Sequence, residues 1–313
     1  MFLQVQNDSL DFLVIYKYVN TVIMANEIIT YIKDMLQVSI IFYLYIFFIF
    51  LFFIKNLKTK INFLKMKANE LCDFYCLSYK NPGRLERMKK RFDTIGINCN
   101  FYEGVELEDE RIKGKVTGDK ARTWSYTLGH FDMIIDFYNN STKGYAVFCE
   151  DDILIDKNLG TYMSDFILDY ESMNLDVLLL GYIMDNKIDD DLVYYGFEFG
   201  KNHLGSNKER NFEYYDYPYW VWGAQMYLMS KRHAKYLLDN FYYNGYPEMT
   251  LKDSNLVPFS SDWIITKAGK KSLITPLMAI EENENGYKNY DDLPQYTYRV
   301  GSYLVNFGDR FVL

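Results

Sequence analysis

Apolar and polar positions keep two different rhythms along this chain. From Met35 to Ile54 polar residues almost vanish, and Ile40 to Ile54 is close to a pure apolar run. Twenty helical residues at ~1.5 Å each span the ~30 Å of a bilayer's hydrocarbon core, so the stretch predicts a transmembrane helix. A buried soluble helix would carry a polar face. A signal peptide would be shorter, nearer Met1 and followed by a small-residue cleavage site.

Beyond Met66 the pattern alternates short apolar runs with helical spacing, as in an α/β domain. Phe74 to Leu77 reads as a strand, Asn81-Pro82-Gly83 as a turn, and Leu85, Met88, Phe92 and Ile95 as a helix face. A second strand is expected near Phe101 to Val105, then a charged loop from Glu106 to Lys120 able to order over a ligand. Trp124, Leu128, Phe131, Ile135 and Tyr138 mark a helix, Tyr145 to Cys149 a strand, Leu159 to Tyr170 a helix and Val177 to Leu180 a buried strand. A polar stretch from Asp185 to Asp216 follows, then an aromatic segment and a helix after Ser230. The expected layout is an N-terminal segment (1–34), a transmembrane helix (35–54), a basic linker (55–70), an α/β domain (71–283) and a C-terminal tail (284–313). Met66 is a second possible start, which would make the first 65 residues dispensable for chemistry.

Charge narrows the partners. The net charge is -8 and a short lysine cluster, Lys55, Lys58, Lys60, Lys65 and Lys67, follows the apolar run, a balance that argues against a nucleic-acid binder. By the positive-inside rule those lysines place the C-terminal domain in the cytoplasm. Asn139 and Asn140 each begin an N-x-[ST] triplet, a pattern with meaning on the lumenal side, so orientation stays open. Cys72, Cys76, Cys99 and Cys149 show no C-x2-C spacing and read as core thiols.

The sharpest chemical feature is Glu150-Asp151-Asp152 at the end of the Tyr145 strand, the edge where open α/β sheets hold ligands. Adjacent carboxylates repel unless water or a cation neutralises them. A hard ion such as Mn2+ or Mg2+ takes such oxygens and can bridge to a diphosphate. A solvated acidic turn is the plainer alternative.

Ser125-Tyr126-Thr127-Leu128-Gly129-His130, followed by Tyr145-Ala146-Val147-Phe148-Cys149-Glu150-Asp151-Asp152-Ile153, resembles glycosyltransferase family 25. That family includes lipooligosaccharide-biosynthesis and procollagen galactosyltransferases. Further landmarks fall in order over residues 72 to 282: Leu77 with Arg84 and Arg87, Leu180-Gly181, and Tyr227-Leu228-Met229-Ser230-Lys231-Arg232-His233-Ala234. Two departures stand out: Cys76-Leu77-Ser78 where the first strand usually carries Asn-Leu, and Gly129 where Ser precedes His130.

The resemblance implies a GT-A-like nucleotide-sugar-binding sandwich, here behind one N-terminal transmembrane helix. It further implies a UDP-sugar donor, a glycan or protein acceptor, and a hexose, galactose or glucose, moved with inversion. On that footing Asp152, with Glu150, is expected to bind Mn2+ or Mg2+. Arg84, His130, Glu150, Asp151 and Gly181 are expected to meet the donor. Asp262, in Ser260-Ser261-Asp262-Trp263, is the expected base, and Trp222 and Trp263 the acceptor surface. The plainer readings are that Ser261 or Asp262 caps a helix over Trp263 to Ala268, that His130 is a bonded polar group at a helix edge, and that Arg84 is a solvated helix charge. Two rival functions remain: another metal-dependent nucleotide enzyme, such as a nucleotidyltransferase, and a non-catalytic membrane-anchored protein that binds carbohydrate or a partner.

Overall fold

The computed structural model describes residues 5–64, 66–183, 202–216, 222–282 and 308–312. It divides into two compact units, Met1–Leu64 and Lys65–Leu313.

The first unit is a single helix, α1 (Val5–Leu64). The predicted transmembrane segment lies inside it, and the predicted boundaries at residues 34 and 55 are not breaks in the backbone. The reason is local: no Gly or Pro interrupts residues 5–64, so the helix runs on past the apolar run into the lysines. Every residue from Met35 to Ile54 is exposed. Asn26–Lys55 is long and apolar enough to cross a membrane.

The second unit is mixed α/β. After a short helix, α2 (Ala68–Leu71), come β1 (Cys72–Ser78), α3 (Pro82–Thr94), β2 (Cys99–Glu103), α4 (Gly118–Asn140), β3 (Tyr145–Glu150) and β4 (Ile153–Asp156). Then follow α5 (Leu159–Ser172), β5 (Val177–Ile183), β6 (His203–Asn207), β7 (Phe212–Asp216), β8 (Trp222–Ser230) and α6 (Lys231–Phe241). The described elements end with α7 (Tyr246–Lys252), α8 (Ser261–Ile264), β9 (Lys271–Thr275), β10 (Ala279–Glu281) and β11 (Phe311–Val312).

Eight strands form one sheet in the order β2-β1-β3-β8-β5-β9-β7-β6, and β10-β4-β11 form a second, small one. Helices flank both faces of the large sheet, because successive side chains of a strand point to opposite sides. On β1, Phe74 meets Phe92 of α3, whereas Tyr75 meets Phe137 of α4. Gly129 lets α4 lie close on the sheet: a Cβ there would sit 2.7 Å from Leu77 Cδ1. Asn81 caps α3 by accepting from the Arg84 N–H at 3.1 Å, with Pro82 opening the helix.

β1 pairs in parallel with β2 on one side and β3 on the other. The chain therefore leaves β1 in one direction and returns on its far side, which opens a crevice at the C-terminal ends of β1 and β3. β3 runs through the acidic turn directly into β4, so the turn joins the two sheets.

The polar stretch 185–216 contains a hairpin, β6–β7, whose inner residues Phe212 and Tyr214 are buried while their neighbours stay wet. At the described C-terminal residues, Phe311 and Val312 pair with β4, and Arg310 holds buried Asp156 at 2.6 Å. Both depend on partners distant in the chain.

Candidate active site

Glu150, Asp151 and Asp152 stand at the β1–β3 crevice. Ser78, the last residue of β1, donates its hydroxyl to Asp151 Oδ2 at 2.6 Å, so the two strand ends are tied across the switch point. Beside them lies a cleft of about 520 Å³ lined by Ser78, Asn81, Leu85, Phe101 and Tyr102. That volume is within the ordinary range for small-molecule sites.

Helix α3 meets the turn with three arginines on one face, at spacings that suit a helix. Arg84 Nη1 lies 3.1 Å from Asp152 Oδ2 and 3.7 Å from Asp151 Oδ1. Arg87 Nε donates to Glu282 at 3.3 Å. Buried Arg91 grips Glu282 with both terminal nitrogens, at 2.9 and 2.5 Å, and also donates to the Ile153 carbonyl at 3.0 Å. Glu282 in turn donates its N–H to the Asp152 carbonyl at 2.5 Å. The register of the small sheet sets Glu281 opposite Ile153, immediately past the turn.

Five carboxylates thus gather at one place, and their electrostatics reflect it. Burial pushes Glu150 upward, and the charges of Asp262, Glu281 and Asp151 add to the effect against the opposing Arg84. Asp152 is raised by burial and then by Glu150 and Glu281. Asp152 Oδ1 is buried and has no hydrogen-bond partner among the described residues. Among the described residues no group of three or more His, Cys, Asp or Glu side chains is placed to hold a metal ion. A hard cation here would be held by one or two carboxylates, with water and phosphate oxygens completing its shell, and not by an all-protein cage.

His130 is not at a helix edge but fully buried. Its Nδ1 is 2.9 Å from the Tyr227 hydroxyl and its Nε2 is 3.3 Å from Glu150 Oε1. Burial lowers its pKa to about 4, so the ring is neutral and links β8 to the acidic turn. Asp262 is inside the first turn of α8, and the helix ends at Ile264, short of the predicted Trp263 to Ala268 span. Its Oδ1 accepts the Gly223 N–H of β8 at 2.9 Å, so the carboxylate serves a neighbouring strand. Gly223 has φ +129°, a backbone state that a side chain would strain. Burial raises the Asp262 carboxyl.

The remaining expected residues lie as follows. Gly181 sits where β5 passes β10, and a Cβ there would come 2.9 Å from the Ala279 carbonyl oxygen. Trp263 is partly buried against the core, with Lys267 Nζ 3.8 Å from its ring centroid, so one face of the indole is covered by the ammonium. Trp222 opens β8, and its side chain lies outside the described residues. Sequence reasoning did not find Ser78, Arg91, Tyr227, Glu281 or Glu282 as site residues. Ala279-Ile280 followed by Glu281-Glu282 is an apolar strand ending in acids, the same signal that exposed Glu150-Asp151-Asp152.

No family model and no curated protein matches the chain. One similar solved structure is the crystal structure of a glycosyltransferase involved in the glycosylation of the major capsid of PBCV-1. It shares 12% identity over 59% of this chain and 76% of its own length, with a TM-score of 0.29. A likeness this distant sets neither fold nor chemistry.

Proposed function

We propose that the α/β unit is a GT-A-like glycosyltransferase that moves a hexose from a UDP-sugar to a hydroxyl of a glycan or protein acceptor. One observation carries the reading: an acidic turn at the topological switch of the sheet, beside a cleft of nucleoside size, with an unpartnered buried carboxylate oxygen on Asp152. The resemblance to family 25 adds the sugar class and inversion.

The acceptor oxygen attacks the anomeric carbon, the bond from that carbon to the diphosphate breaks, and the diphosphate leaves with the electron pair. Asp262 takes the hydroxyl proton: its hydrogen bond to Gly223 sets its direction, and burial makes it a better base than an ordinary carboxylate. Asp152 and Glu150 would hold Mn2+ or Mg2+, which when bound supplies positive charge for the leaving diphosphate. His130 orients Glu150 from the buried side. Arg84 holds the turn and stands within reach of a diphosphate placed there. Helix α1 anchors the enzyme in a membrane through residues 35–54.

Incubating the full-length chain with UDP-hexoses, Mn2+ and candidate acceptors tests the reading. Metal-dependent release of UDP with a glycosylated acceptor is the expected result. Release of pyrophosphate would mean nucleotidyl transfer, and nucleotide or sugar binding without turnover would mean a binding protein.

A further inference from the structure

The lysines that follow the apolar run form an acid-free basic stretch in an acidic chain. Between Asp34 and Glu70 there are five lysines and no Asp or Glu. Helix α1 continues unbroken to Leu64, so Lys55, Lys58 and Lys60 ride on the same rigid element as residues 35–54. At ~1.5 Å per residue they stand within about 10 Å of Ile54, inside the depth of a headgroup layer and one Debye length. Lys55 and Lys58 are exposed, and neither forms an ion pair with any described residue.

We propose that this stretch of α1 is a binding surface for anionic phospholipid headgroups, recruiting them around the helix where it leaves the bilayer. The inference rests on the reading that α1 crosses a membrane. The helix sets the lysines at the height of the lipid phosphates, and the charge left unneutralised on Lys55 and Lys58 is met by the lipid. An uncharged or zwitterionic surface would not satisfy it.

The full-length chain is reconstituted into phosphatidylcholine vesicles carrying trace spin-labelled phosphatidylglycerol or spin-labelled phosphatidylcholine, and the motionally restricted fraction of each is measured. The expected result is a preference for phosphatidylglycerol of roughly fivefold, the order of one lysine–headgroup contact, which falls as salt is raised. It should disappear in the Lys55→Gln/Lys58→Gln/Lys60→Gln variant. Equal association of the two lipids, or a preference that survives the triple substitution, overturns the proposal. Flotation of the same vesicles separates the two readings: a chain that floats without lipid preference sinks this proposal alone, and a chain that does not float sinks the anchor and the proposal together.

Discussion

Ser78 donates a hydrogen bond to Asp151 Oδ2 at 2.6 Å, joining the last residue of β1 to the turn that follows β3. This contact crosses the crevice where the connections of the sheet diverge, and Ser78 also lines the cleft beside β1. Ser78→Ala should leave a buried carboxylate short of a donor and destabilise the fold by about 1–2 kcal/mol. It should also let the Asp151 carboxyl rise further, since the serine hydroxyl lowers it. Urea unfolding measures the first effect, and carboxyl titration by NMR the second. Unchanged stability would show that water replaces the hydroxyl without loss.

Arg91 and Glu282 form the buried support of the turn. Arg91→Met removes both hydrogen bonds to Glu282 and the one to the Ile153 carbonyl, and a cost of about 3 kcal/mol is expected for leaving such charge unpaired. Adding Glu282→Gln to that variant should recover part of the loss. A double-mutant cycle by chemical denaturation reads the coupling, and strictly additive losses would mean that the pair does not act as a unit.

Asp152 and Asp262 are expected to fail differently. Asp152→Asn removes charge from the proposed cation position, so Mn2+ and UDP binding should weaken together. Asp262→Asn should leave both affinities nearly intact and slow transfer by something on the order of 10²-fold to 10⁴-fold, the usual contribution of a positioned base. Calorimetric titration beside a transfer assay decides between these. Wild-type transfer by the Asp262 variant would reduce that residue to a tie between α8 and β8.

Acid should act on stability through His130. Its folded pKa is about 4, below the ordinary value of 6.5, because the ring is fully buried. Between pH 6.5 and 4 the unfolded chain takes up a proton that the folded chain refuses. The stability is complete above pH 6.5 and is lost as pH falls toward 4, by on the order of 3 kcal/mol. Glu150 and Asp152 act in the opposite direction: their raised carboxyls bind protons first in the folded state, so acid relieves them. Comparing unfolding of wild type and His130→Gln across this range isolates the histidine. A stability difference between the two that does not change with pH would mean that His130 is not held neutral.

What the sequence determined by itself was the part of the structure that depends on neighbours in the chain. Helix α1 follows from an apolar run without Gly or Pro, α3 from Asn81-Pro82 and its spaced apolar face, and the acidic turn from an apolar strand that ends in three acids. Such signals are local, because helical and strand periods repeat over a few residues. The tertiary structure decided everything that depends on register between distant segments. It set Glu281 and Glu282 beside the turn, buried His130 between Tyr227 and Glu150, and turned Asp262 from its own helix toward Gly223. A charge in sequence carries no mark of which strand will lie beside it. Its chemistry is set only when folding removes the water and brings the other charges within a few ångströms.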